Sequence, residues 1–280
     1  MLRGAPAPQR TVERMKIYRV FRTLGLVAAC CGVFGLAPGA SQGLGLDVTP
    51  AKLELSVPPG TQGWNIPITI RNSSGAPVHI LSSMSDFSVT RAGDYAFERA
   101  GSRPYSLLRW ATINPREFDL SPGTTQQVRL TLSVPKSSAL TGEYAGVLFF
   151  QTRPTRHANT VAVSVRIATK IYATIPGTVK LDGAISKMTS AGGSEDRLYR
   201  VMFVNRGNAH VYCSGQLLVQ KDNQVIERIA MPRDMLVERG GDRLIEVTGK
   251  RLPPGKYLAI AMIDYGGKTM TGGEISFDAH

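Results

Sequence analysis

Residues 161–167 read Val-Ala-Val-Ser-Val-Arg-Ile, with a valine or isoleucine at every second position. Successive Cβ atoms of an extended chain point to opposite sides. Val161, Val163, Val165 and Ile167 therefore share one face, and Ala162, Ser164, Arg166 and Ala168 share the other. The same two-residue period recurs in Trp64, Ile66, Ile68 and Ile70, and again in Val128, Leu130, Leu132 and Val134. From residue 47 onward no stretch carries the period of an amphipathic helix, so the chain reads as all-β.

Turn-forming clusters punctuate these runs at Pro58-Pro59-Gly60, Asn72-Ser73-Ser74-Gly75, Ser121-Pro122-Gly123 and Thr141-Gly142. The spacing predicts about seven strands between 47 and 175, enough for one immunoglobulin-like β-sandwich. Ile175-Pro176-Gly177-Thr178 breaks the pattern, which restarts with Tyr199, Val201 and Phe203 and runs on to Ile275 and Phe277. Two tandem sandwich domains are expected, over 47–176 and 178–280, joined by a linker short enough to hold them at a fixed angle with a cleft between them.

Residues 1–40 differ in composition. Arg3, Arg10, Arg14, Lys16, Arg19 and Arg22 face one acid, Glu13, and an apolar run from Leu24 to Leu36 ends in Ala37-Pro38-Gly39-Ala40-Ser41. This order marks a signal peptide cut near Ala40. The run is short for a membrane span, although an uncleaved anchor and a lipoprotein box at Val27-Ala28-Ala29-Cys30 are the competing readings. Cleavage would leave a periplasmic protein with no integral membrane segment. It would also lower the net charge from +12 to +7, so much of the basicity belongs to the leader. The remaining Lys and Arg are interleaved with Asp and Glu. That pattern argues against nucleic acid and leaves a modest positive field suited to acidic partners.

The residues offer no catalytic pattern. Cys213 is the one cysteine beyond the leader, which rules out an internal disulfide in the mature chain and suits a small buried hydrophobe. His79, His157, His210 and His280 stand without a second ligand at coordinating spacing on their own strands, so neither a metal nor a cofactor is expected. The chain has no nucleophile elbow and no phosphate-binding glycine loop. The expectation is a protein that is not an enzyme, with an unfamiliar catalytic site as the remote alternative.

Three stretches resemble the N-terminal domain of the periplasmic chaperones of the chaperone/usher pathway. Val48-Thr49-Pro50-Ala51-Lys52-Leu53-Glu54-Leu55 resembles the family's first strand, with Lys52 where an arginine usually stands. Asn114 to Gly123, with Gln126 to Leu130 and Glu143-Tyr144 through Phe150, is similar to its central turn and strands. Asn159 to Ile171 resembles the edge strand that these chaperones lend to a subunit lacking its own last strand. The second domain is similar to the family only through Asn205 to His210 and Leu252 to Tyr257, a pattern common to many extracellular sandwiches.

The resemblance implies a periplasmic chaperone that caps protein subunits of a pilus or surface coat by donor-strand complementation for delivery to an outer-membrane usher. It makes Val161, Val163, Val165 and Ile167 the client-binding side chains. Read from the residues alone, the same face also suits the domain's own core. The resemblance further implies an anchor for the client's terminal carboxylate, at Lys52 and Lys170 with Tyr172. Tyr172 takes the family's lysine position and Lys170 lies two residues earlier on the same face. Solvated strand-end charges are the alternative for the two lysines. A cell-surface binding or scaffold module, suggested by Gly142-Glu143-Tyr144-Ala145-Gly146 before an apolar strand, is the second functional reading.

Overall fold

The alternating runs become strands because burying one face of each removes apolar surface from water, at about 2 kcal/mol per fully buried isoleucine or valine. The computed structural model describes residues 45–154, 163–192 and 195–280, and the proposed leader and Val161 lie outside them. The first ten strands are β1 (Leu46–Thr49), β2 (Lys52–Ser56), β3 (Trp64–Asn72), β4 (Val78–Val89), β5 (Tyr95–Arg99), β6 (Ala111–Asn114), β7 (Glu117–Leu120), β8 (Thr125–Leu132), β9 (Glu143–Thr152) and β10 (Arg166–Thr174). One sheet runs β1-β3-β8-β6, and the other runs β2-β10-β9-β4-β5 with β7 beside β4.

Two sandwiches of immunoglobulin type result. In the first, Ile66, Ile68 and Ile70 meet Val128, Leu130 and Leu132 on one sheet and pack against Leu148, Phe150, Ile171 and Ala173 of the other. Among the described residues ten strands form where the turn signals predict about seven. One reason is that Pro50 separates β1 from β2, and the chain there crosses from one sheet to the other. Another is that β5 is exposed along its whole length, so it shows no inside-outside alternation to read.

The second sandwich contains β11 (Gly183–Gly192), β12 (Asp196–Asn205), β13 (Val211–Lys221), β14 (Gln224–Ala230), β15 (Met235–Val237), β16 (Asp242–Lys250), β17 (Gly255–Asp264) and β18 (Thr271–Ala279). Its sheets run β11-β12-β16 and β14-β13-β17-β18, with β15 beside β13. Tyr199, Val201, Phe203, Cys213, Leu217 and Ala261 fill its core. Cys213 is fully buried, and that burial pushes its thiol pKa up to about 12, so it acts as an apolar side chain.

Each sandwich holds a corner with a buried asparagine. Asn72 Nδ2 donates to the carbonyls of Ala76 and Leu120, and Asn205 Nδ2 donates to those of Ala209 and Glu238. In both cases the side-chain oxygen accepts a backbone N–H two residues on, from Ser74 and from Gly207, which closes an Asx turn.

The sandwiches touch at several places among the described residues, two of them through backbone hydrogen bonds. At the start of β9, Glu143 N–H donates to Asn208 C=O, and the Glu143 carboxylate accepts from His210 N–H and pairs with His210 Nδ1 at 2.6 Å. At the tip of the β4–β5 hairpin, Leu244 N–H donates to Arg91 C=O and Arg91 Nε meets Asp242 at 2.7 Å. Val89 N–H also donates to Glu238, whose carboxyl pKa is raised by burial.

Candidate polypeptide-binding edge

The backbone of β10 sets the geometry. Thr152 N–H of β9 donates to Val165 C=O, and Lys170 N–H donates to Ala51 C=O on the opposite side. Alternation along an antiparallel pair then turns the N–H and C=O groups of Arg166 and Ala168 away from β9. β2 stands on that side, but it pairs with β10 only from Lys170 to Thr174. The stretch from Arg166 to Ala168 is therefore a sheet edge with no strand partner among the described residues.

Side chains of this stretch divide as the period-two reading expects. Val165 and Ile167 are half-buried and lean against the first sandwich's core at its end. Val163, beyond the end of the strand, is 49% exposed. The face that fills the core at Ile171 and Ala173 gives way toward Val163 to solvent-exposed surface. Arg166, Ala168, Lys170 and Tyr172 occupy the outward face.

On that face β10 lies parallel to β2, with Lys170 opposite Lys52 and Tyr172 opposite Glu54. The two lysines turn to different partners. Lys52 Nζ pairs with Glu54 at 2.7 Å and donates weakly to Tyr212 OH at 3.4 Å, whereas Lys170 Nζ donates to Tyr95 OH at 3.1 Å. Hydrogen bonding within the Lys52–Glu54 pair holds the ammonium pKa above its ordinary value and the carboxyl pKa below. A carboxylate arriving at Lys52 would compete with Glu54.

Tyr172 is buried, and its hydroxyl has no hydrogen-bond partner. Burial, reinforced by nearby tyrosines and carboxylates, pushes its pKa far up, so it remains a neutral donor. It lines a cavity of about 40 Å³ between the sandwiches, together with Arg103, Tyr105, Glu143, His210, Glu238 and Arg239. An uncompensated buried hydroxyl costs about 1–3 kcal/mol, so it favours any ligand that supplies an acceptor there.

Two features of this region escape a reading based on spacing within one strand. His210 comes to Glu143 from the other sandwich, and His79 lies between Glu117 at 2.5 Å and Asp119 at 2.7 Å on neighbouring β7. Among the described residues no group of three His, Cys, Asp or Glu has metal-holding geometry, and no helix is long and apolar enough to cross a membrane.

No protein-family model and no characterised protein sequence matches the chain. Solved structures similar to it include the class 5 fimbriae chaperone CfaA, with a TM-score of 0.47 at 10% identity over 84% of this chain and 99% of that one. The Escherichia coli chaperone DraB gives 0.43 at 14% identity over 85% and 98%, and the Pseudomonas aeruginosa CupB2 chaperone gives 0.41 at 14% over 84% and 100%.

Proposed function

We propose that the protein is a periplasmic chaperone that holds an incomplete sandwich subunit of a pilus or surface coat by adding its β10 edge to the subunit's sheet, for handover at an outer-membrane usher. The observation that carries this reading is the unpartnered edge at Arg166–Ala168, continuous with an apolar face that projects beyond the core at Val163. An exposed apolar edge invites aggregation unless something covers it, and a client strand is such a cover. Val161, Val163, Val165 and Ile167 face the client in this scheme. Lys52, Lys170 and Tyr172 receive the client's terminal carboxylate, with Glu54 as the group it displaces. The reading requires no catalytic step, metal or cofactor.

The test is the composition of what co-purifies from a periplasmic extract under native conditions. One or two sandwich proteins lacking a final strand are the expected partners, recovered with the soluble fraction. Recovery with envelope membranes and no such subunit would replace this reading with the scaffold module.

A further inference from the structure

The outward face of the sheet beside the β10 edge is cationic and aromatic. The Arg166 guanidinium lies 3.5 Å from the centroid of the Phe149 ring and 5.8 Å from that of Phe97. Lys170 Nζ sits 5.2 Å from the Tyr95 ring, and Phe97 stacks beside Tyr95 with 12° between the planes. Arg99 follows on β5, two residues from Phe97 and on its face. Among the described residues no carboxylate pairs with Arg99, Arg166 or Lys170. The rings hold two of these cations by their faces. That arrangement fixes the guanidinium plane while leaving N–H groups to donate to an arriving acid.

We propose that the strand added at β10 carries acidic residues on its outward face, the first of them opposite Arg166, so that the site selects a segment alternating apolar and acidic side chains. The inference rests on the strand-addition reading and names the class of strand it accepts. Directly opposite side chains in paired strands share a face and lie within contact of each other. Val165 and Ile167 thus set an apolar requirement on one side, and Arg166 sets a charge requirement on the other, with Lys170 just past the point where β2 closes the edge.

Three end-blocked nine-residue peptides alternating Val–Glu, Val–Thr and Val–Lys test this by calorimetric titration of the full chain, with amide exchange at Arg166 and Ala168 reporting whether the edge is occupied. The Val–Glu peptide is expected to bind about threefold more tightly than Val–Thr, as one cross-strand charge pair at Arg166 would give, with Val–Lys weakest. High salt should erase the preference. Arg166→Gln should reduce it, and Arg166→Lys should retain most of it. Equal affinity for Val–Glu and Val–Thr, with the two amides protected by both, would overturn the acidic selectivity and leave strand addition standing. Failure of all three peptides to protect those amides would overturn both.

Discussion

The Tyr172 ring of the first sandwich lies 4.1 Å, centroid to centroid, from the His210 ring of the second, and His210 in turn pairs with Glu143 beside Tyr172's own sheet. The tyrosine therefore packs at the junction of the domains while its hydroxyl goes unpartnered. Tyr172→Phe keeps the ring and removes only that hydroxyl. Thermal stability should hold or rise by up to about 1 kcal/mol, because no native hydrogen bond is lost. If the hydroxyl receives the client's carboxylate, affinity for the co-purified subunit should fall about five- to tenfold. Unchanged affinity would remove Tyr172 from the anchor.

Lys52 is occupied by Glu54 in the free protein, at 2.7 Å. Glu54→Gln should release the ammonium and tighten the hold on a carboxylate-bearing client. Lys52→Ala with Lys170→Ala should weaken it while sparing the fold, since exposed ion pairs contribute about 0–1 kcal/mol. A double variant that binds its client in full would mark both lysines as solvated strand-end charges.

Val163, just before β10, and Ile171 within it differ in burial, at 49% and 0% exposed. Val163→Asp should keep the melting temperature within a few degrees yet abolish client capture, because an unpaired carboxylate in an apolar groove costs several kcal/mol. Ile171→Asp should fail to fold. Unfolding of the Val163 variant would assign that valine to the protein's own core.

His79 sits between two carboxylates, with the Asp119 hydrogen bond first and Glu117 second in raising its pKa above 6.5. A raised folded-state pKa contributes stability that is complete below the unfolded value and lost as pH climbs through the folded one. The melting difference between the wild type and His79→Gln should therefore shrink from about pH 6 to pH 9. A difference that grows over that range would contradict the assignment.

The sandwiches themselves were legible because Ile66, Ile68 and Ile70 or Val128, Leu130 and Leu132 bury one face each, and period two is all such a strand needs. Cys213 was legible as a core residue for the same reason. The edge was not. Whether Arg166 and Ala168 find partners depends on where β2 begins, more than a hundred residues earlier in the chain. β9 hid its outward aromatic, Phe149, because that strand is apolar on both faces. The aromatic shelf of Tyr95 and Phe97 escaped because an all-exposed strand carries no alternation of burial. The pairing of His79 with Glu117 and Asp119 spans strands that meet only in the folded sheet.

Backbone amide exchange of the protein with and without its co-purified subunit tests the strand-addition claim most directly. In the free protein the amides of Arg166 and Ala168 should exchange rapidly, while that of Lys170, already bonded to Ala51 C=O, should be protected. Binding should slow Arg166 and Ala168 to rates typical of a central strand. A subunit that binds stably while those two amides go on exchanging at their free rate would show that it is held elsewhere.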